Sequence, residues 1–263
     1  MYETGSPRRR ARLGFGNRSH RYATFTHFRE DSGNEQERIV MSHLIDTKID
    51  DKNIGLLMNL WRLRQALDIY CLIAANGDGI SRRGGGKNFF GFLRTACVHL
   101  IAIDICKVFE KERHRRKNVK YELNSIDGVL GSFTGVKANV LETGCINSFV
   151  LKYGNGHGED ETVSALALTF RVFEAKYHAE LERFKTFRDK WAAHSESSFT
   201  PGDLPSYDIM ERLFNFGMDF YMVVSRAFIG AGPLNLNDDR RIKESLKVVL
   251  KAFGIKEIRN EME

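Results

Sequence analysis

Four residues near the end of a long amphipathic segment have side chains that can act together at a phosphate ester. The segment RDKWAAH places Arg188, Asp189 and Lys190 at its start and His194 at its end. Histidine, with a pKa of about 6.5, can act as general acid or base at neutral pH, and arginine can bind a phosphate through two hydrogen bonds. Asp189 can orient either group, and Lys190 adds attraction for phosphate. Attack of a ribose 2′-OH on the adjacent phosphorus needs such groups and no metal, so these residues are a candidate RNA-cleaving site.

The spacing of arginine and histidine has little specificity by itself. Five of the eight histidines follow an arginine with four to six residues between, and the context of each pair must decide. The four other pairs are Arg21…His27, Arg38…His43, Arg94…His99 and Arg171…His178. Only Arg188 is followed directly by an acid, and only His194 follows Ala-Ala and precedes a polar, helix-ending SESS. The ordinary alternative is that these cations simply interact with the dipole at a helix C-terminus.

The geometry of a single helix does not bring the two groups together. Residues six positions apart on an ideal α-helix lie about 120° apart around its axis, so Arg188 and His194 do not point at one atom. Two arrangements would overcome this. The helix can end at His194, or the motifs of two copies can line one groove.

A second basic stretch, KERHRRKNVK from residue 111, follows an apolar helical run. Part of its charge suits the C-terminal end of a helix, but the run is long enough to neutralise several phosphates. The residues predicted to contact RNA are Arg113, Arg115, Arg116 and Lys117, together with Lys190. Another basic segment, RRGGGK at 82–87, is not a phosphate-binding P-loop, because serine stands at position 81 and asparagine follows the lysine.

Hydrophobic periodicity predicts an all-α protein. Amphipathic or fully apolar segments predict helices from about 52 to 75, 88 to 112 and 162 to 197, then from 207 to 229 and a shorter one ending near 254. The apolar run FFGFLRTACVHLIAIDICKVF is expected to form the central buried helix. Residues 125–160 are rich in glycine and predict irregular structure with one short helix in SIDGVLGSF. Four substantial helices and a C-terminal helix indicate a helical bundle.

The first 40 residues differ from the remainder in composition. They contain 8 arginines and 5 acids and no sustained periodicity, which predicts a disordered basic leader before a helical domain at 41–263. Two interpretations stay open: the leader is an arm that contacts nucleic acid, or translation starts naturally at Met41.

The overall composition sets limits on the class of protein. The net charge of +6 permits binding to nucleic acid without requiring it. The four cysteines form no C-x-x-C, which predicts buried free thiols, and no Cys/His spacing indicates a metal or cofactor site. We expect no transmembrane helix, no membrane partner and a cytoplasmic location.

The segment FRDKWAAHSE resembles the R-x4-6-H signature of HEPN domains, and over about residues 52–230 the chain looks most like the abortive-infection (Abi-U type) group. HLIAIDICKVFEKE before the motif and SYDIMERLFNFG after it match the layout of that group. The resemblance implies an antiparallel four-helix bundle, here with an extra C-terminal helix. It also implies a homodimeric endoribonuclease of a phage-defence or toxin–antitoxin system, with a composite site and, in the toxin case, an antitoxin protein as partner. The alternative is a non-catalytic helical dimer that binds RNA or a partner protein.

Overall fold

A computed structural model describes residues 55–83, 86–111, 124–133, 143–154, 162–192, 204–230, 236, 241–256 and 258–260. Within these residues the chain forms helices and no strand, which confirms the all-α prediction. The α-helices are α1 Leu56–Ala75, α2 Gly77–Arg83, α3 Lys87–Phe109, α4 Ile126–Ser132, α5 Thr143–Tyr153, α6 Thr162–Lys176, α7 His178–Phe187, α8 Tyr207–Val224 and α9 Arg241–Ala252. Single π-helical turns follow α7 and α8, at Arg188–Ala192 and Ser225–Ile229. The predicted leader at 1–40 lies outside the described residues.

The main core is built where α1, α3 and α8 pack against one another. Leu60 of α1 and Val108 of α3 are fully buried, and Gly217 of α8 lies between them. A Cβ at Gly217 would stand 2.9 Å from Leu60 Cδ2 and 3.2 Å from Val108 Cγ1. The absence of a side chain at this position therefore allows α8 to approach both helices closely.

A smaller core packs the C-terminal helix α9 against α1 and α3. Leu246 and Leu250 of α9 bury against Leu72 of α1 and Phe90 of α3. The residues after α9 are held by Asn76, whose side-chain amide donates to the carbonyl of Arg259 at 2.9 Å and accepts from its amide at 3.0 Å. This two-way pairing fixes the segment after α9 to the turn between α1 and α2.

Three local predictions from the sequence are corrected. Between the helices predicted at 52–75 and 88–112 lies a further short helix, α2, which begins at Gly77, so that only Asn76 separates it from α1. The glycine-rich region contains a second helix, α5, whose Ile146, Phe149 and Val150 are buried. The helix predicted over 162–197 is interrupted at Tyr177, where φ is −108° and ψ is 20°, although backbone hydrogen bonds to Phe173 and from Leu181 continue across the interruption.

Helix α3 is only partly the buried central helix that its sequence predicts. Ten of its residues are buried, including Ile101, Ile105 and Val108. On its outer face, however, Phe92 is 74% exposed and Leu100 is 45% exposed. By length and composition α3 is the one helix in the described part of the chain that could cross a membrane, a test that core helices of soluble proteins also pass.

A buried ionic cluster connects α9 to α1, and it yields a stability prediction. The Asp68 side chain, 2% exposed, pairs with Arg64 and accepts from Lys243 Nζ of α9 at 3.0 Å. Arg64 is only 12% exposed and also lies 3.5 Å from Glu211. Replacing Asp68 with alanine is expected to cost about 3–5 kcal/mol of unfolding free energy, because a buried guanidinium then loses its main partner. Urea denaturation measures the loss.

The matched control for this prediction is Glu244→Ala on α9. Glu244 pairs with Lys247 at 2.8 Å, but its side chain is 61% exposed and water screens the pair. Equal denaturation midpoints for Asp68→Ala and Glu244→Ala would contradict a structural role for the buried cluster.

Candidate functional site

Arg188 and Asp189 line a cleft between the C-terminal end of α3 and the outer face of α6 and α7. The cleft has a volume of about 260 Å³. Its walls are formed by Cys106, Phe109, Glu110 and Lys111 after or near the end of α3, Glu174 of α6, His178, Leu181, Glu182 and Lys185 of α7, and Arg188 and Asp189 of the π turn. The structure therefore places two of the three predicted catalytic residues in a concave site.

Two buried aromatic residues fix the end of α7 against α3. Phe184 and Phe187 are fully buried, and the Phe187 ring meets the His99 ring of α3 edge to face, with centroids 5.8 Å apart. The α-helical hydrogen bonding ends at Phe187, and the next five residues form the π turn. Because Arg188 follows this anchor directly, its position relative to α3 is set by the packing of Phe187.

The Arg188 guanidinium is held by two carboxylates. Its Nε donates to Asp189 Oδ1 at 2.7 Å, and its Nη1 lies 3.8 Å from Glu110 Oε1 at the end of α3. Burial alone would lower the pKa of Arg188, but the hydrogen bond to Asp189 and the neighbouring charges outweigh burial and raise it above its usual value. The side chain, 26% exposed, is therefore a permanent cation in reach of solvent.

The charges that line the cleft nearly cancel. Four carboxylates, from Glu110, Glu174, Glu182 and Asp189, face three cations, from Lys111, Lys185 and Arg188. Two of these groups, Lys111 and Glu174, form an ion pair across the cleft, with 2.9 Å between Lys111 Nζ and Glu174 Oε1. A phosphate that enters this cleft must therefore displace a carboxylate or meet further cations from elsewhere.

The thiol of Cys106 lies at the cleft, where burial disfavours its reactive thiolate form. Burial is the largest influence and raises its pKa to about 12, so the thiol stays protonated at neutral pH. Cys97, deeper in α3, has its pKa raised by burial to about 11. The sequence prediction of buried free thiols is confirmed for Cys71, Cys97 and Cys106, whereas Cys145 is partly exposed.

The remaining predicted site residues are not in the described cleft. Lys190 is exposed on the π turn and does not line the cleft. His194 and the four residues of the basic stretch, Arg113, Arg115, Arg116 and Lys117, lie outside the described residues. The separation of about 120° expected for Arg188 and His194 assumed an ideal α-helix. Residues 188–192 form a π turn instead, so that angle does not apply to this segment.

Sequence reasoning missed the residues that share the cleft with Arg188. Glu174, His178, Glu182 and Lys185 recur at three- and four-residue intervals, which places them on one helical face. That spacing was visible in the sequence and extends to Arg188. The contribution of Glu110 was not visible, because it depends on which helix packs beside α7.

Comparison of the chain with protein-family models, with curated proteins and with solved structures finds no match.

Proposed function

We propose that the protein is a HEPN-type, metal-independent endoribonuclease that acts in phage defence or as a toxin, and that its catalytic groups are Arg188, Asp189 and His194. The observation that carries the proposal is the position of Arg188. Its guanidinium, hydrogen-bonded to Asp189, lines a cleft instead of an open helix surface. In this cleft it would bind the phosphate that is attacked by the neighbouring 2′-OH, and His194 would transfer the protons.

The balance of charge supports a site completed by a second copy of the chain. One cleft has more carboxylates than cations, so by itself it attracts a polyanion weakly. The basic stretch of Arg113, Arg115, Arg116 and Lys117 begins two residues after Lys111, which lines the cleft. In a homodimer, these cations and a second motif would supply the missing positive charge, in line with the composite site that the family resemblance implies.

The same charge balance favours the second candidate function, a helical dimer that binds RNA or a partner protein without cleaving. In that case the carboxylates around Arg188 hold the helices together, and the cleft does no chemistry. The two functions differ in whether His194 is needed for an RNA product to form.

The test is cleavage of mixed cellular RNA by the purified protein in EDTA, with His194→Ala in parallel. We expect the wild-type protein to give fragments that end in a 2′,3′-cyclic phosphate and to leave DNA of the same sequence intact. The His194→Ala variant should cleave RNA at least about a hundredfold more slowly. His157→Ala, another histidine followed by acids, is the matched control. Intact RNA with folded wild-type dimer would favour the binding function. Cleavage that survives in His194→Ala and is lost in His178→Ala would give the proton-transfer role to His178.

A further inference from the structure

The end of α3 opposite the Arg188 cleft carries a surface of phenylalanines and cations. We define this basic aromatic patch as Phe89, Phe92 and Phe253 with Arg82, Arg83 and Lys87. The three rings are 50%, 74% and 40% exposed. The three cations are also exposed. Clustered apolar side chains of this size are unusual on the surface of a soluble protein and indicate a binding surface.

Contacts of α2 and the start of α3 with the residues after α9 hold the patch together. The rings of Phe89 and Phe253 stack with an angle of 10° between their planes and a centroid distance of 6.1 Å, and Phe90 meets Phe253 edge to face at 5.2 Å. The Arg83 guanidinium lies against Gly254, where a Cβ would stand 2.5 Å from its Nη1. Gly254 adopts a φ of 83°, a conformation that glycine accepts without strain.

The cations of the patch are available to an anionic partner. Arg82, Arg83 and Lys87 form no ion pair with any carboxylate of the described residues, in contrast to Arg64, Lys111, Lys152 and Arg188. Asp78 of α2, the nearest described carboxylate in the sequence, is not paired with any of the three. Aromatic rings beside exposed cations match the two needs of single-stranded nucleic acid, which are stacking for its bases and positive charge for its phosphates.

We propose that the basic aromatic patch docks single-stranded RNA and so holds the substrate of the Arg188 cleft. The inference rests on the proposed function for the identity of the RNA as substrate. Two observations favour RNA over an anionic membrane. Arg82 and Arg83 can stack on bases, which RNA offers and a lipid surface does not, in addition to binding phosphates through two hydrogen bonds. The patch and the cleft lie on one helix, with Phe92 and Cys106 about 21 Å apart along α3, a separation that an extended polyanion spans.

The test measures binding separately from cleavage. Fluorescence anisotropy with an unstructured, fully 2′-O-methylated oligonucleotide reports binding of an RNA that cannot be cut by 2′-OH attack. We expect the double variant Phe89→Ser, Phe92→Ser to weaken binding at least about tenfold, because two stacking platforms are lost. Leu151→Ser is the matched control, since Leu151 of α5 is 75% exposed and lies outside the patch, and it should leave binding unchanged.

Charge variants test the electrostatic half of the proposal. Arg82→Glu with Lys87→Glu should weaken binding and reduce its dependence on salt, whereas Arg212→Glu, an exposed cation of α8, should have little effect. Circular dichroism melts of every variant exclude unfolding as the cause.

Several outcomes would overturn the docking proposal. Absence of binding by the wild-type protein would do so, as would equal binding by the patch variants and their controls. Sedimentation with vesicles of phosphatidylcholine and phosphatidylglycerol that is lost in the Phe variant, while RNA binding is unchanged, would assign the patch to a membrane surface. Binding through the patch without cleavage of ordinary RNA would leave RNA docking at the patch standing, but it would overturn the proposed function and with it the role of that RNA as substrate. Cleavage of RNA that the patch variants do not affect would leave the proposed function standing and overturn the docking proposal.

Discussion

Replacing Arg188 with alanine is expected to lower the rate of RNA cleavage at least about a hundredfold while the protein stays folded. Asp189 holds Nε at 2.7 Å, and the longer contact of Nη1 with Glu110, at 3.8 Å, is the one that a phosphate would replace. Arg188→Lys should also be strongly impaired, because an ammonium group keeps the charge but cannot bind a phosphate in the forked manner of a guanidinium.

The control for Arg188 is Arg183→Ala, an exposed arginine of α7 that does not line the cleft. Its cleavage rate should match the wild type, and thermal melts should show all three variants folded. Wild-type cleavage by Arg188→Ala would remove the arginine from the mechanism and with it the main support for the proposed function.

Mixing two inactive variants tests whether one site takes its groups from two chains. If Arg188 of one copy acts with His194 of the other, a dimer of one Arg188→Ala chain and one His194→Ala chain has one intact site. Random exchange would then restore about a quarter of the wild-type activity. Lack of any recovery, with exchange verified by native mass spectrometry, would place both groups of each site in the same chain.

The helices with long hydrophobic patterns could be predicted from the sequence. The short helices, and the interruption between α6 and α7, could not. α1, α3, α8 and α9 each carry an apolar pattern over 12 or more residues, and their predicted positions agree with the structure to within a few residues. α5 buries only Ile146, Phe149 and Val150, a pattern too short to separate from chance among glycines and asparagines. The interruption at Tyr177 has no glycine or proline to mark it, and the buried Tyr177 ring lies 4.7 Å from the ring of Phe173.

The candidate site could be predicted only as far as one helix determines it. Arg188 and Asp189 were found because residue type and position near a helix end are properties of the sequence. Glu110 and Lys111 reach the cleft through the packing of α3 against α7, and no local pattern reports which helices are neighbours. The exposed face of α3 was missed for a related reason. An all-apolar helix predicts burial, yet it cannot show that one face with Phe92 and Leu100 stays uncovered in the described structure.

Replacing Phe216 with alanine is expected to cost about 3–5 kcal/mol of unfolding free energy, because its ring is the centre of the aromatic core. The fully buried ring of Phe216 stacks on Phe173 of α6 with centroids 3.7 Å apart. It also meets Tyr153 of α5 at 4.9 Å and Phe109 of α3 at 6.1 Å. One side chain of α8 therefore joins three other helices, and its removal leaves a cavity that these helices cannot fill by small shifts.

The effect of Phe216→Ala should extend to the cleft, and Phe92→Ala provides a control of the same residue type for the effect on stability. Phe109 lines the cleft, and Glu174 follows Phe173 directly, so loss of the shared ring should disturb both walls and lower RNA cleavage. Phe92 is 74% exposed, and its truncation should change the unfolding free energy by no more than about 0.5 kcal/mol. Urea denaturation of the two variants beside the wild type measures the difference. Equal midpoints would mean that the aromatic cluster does not stabilise the packing of α3, α5 and α6 against α8.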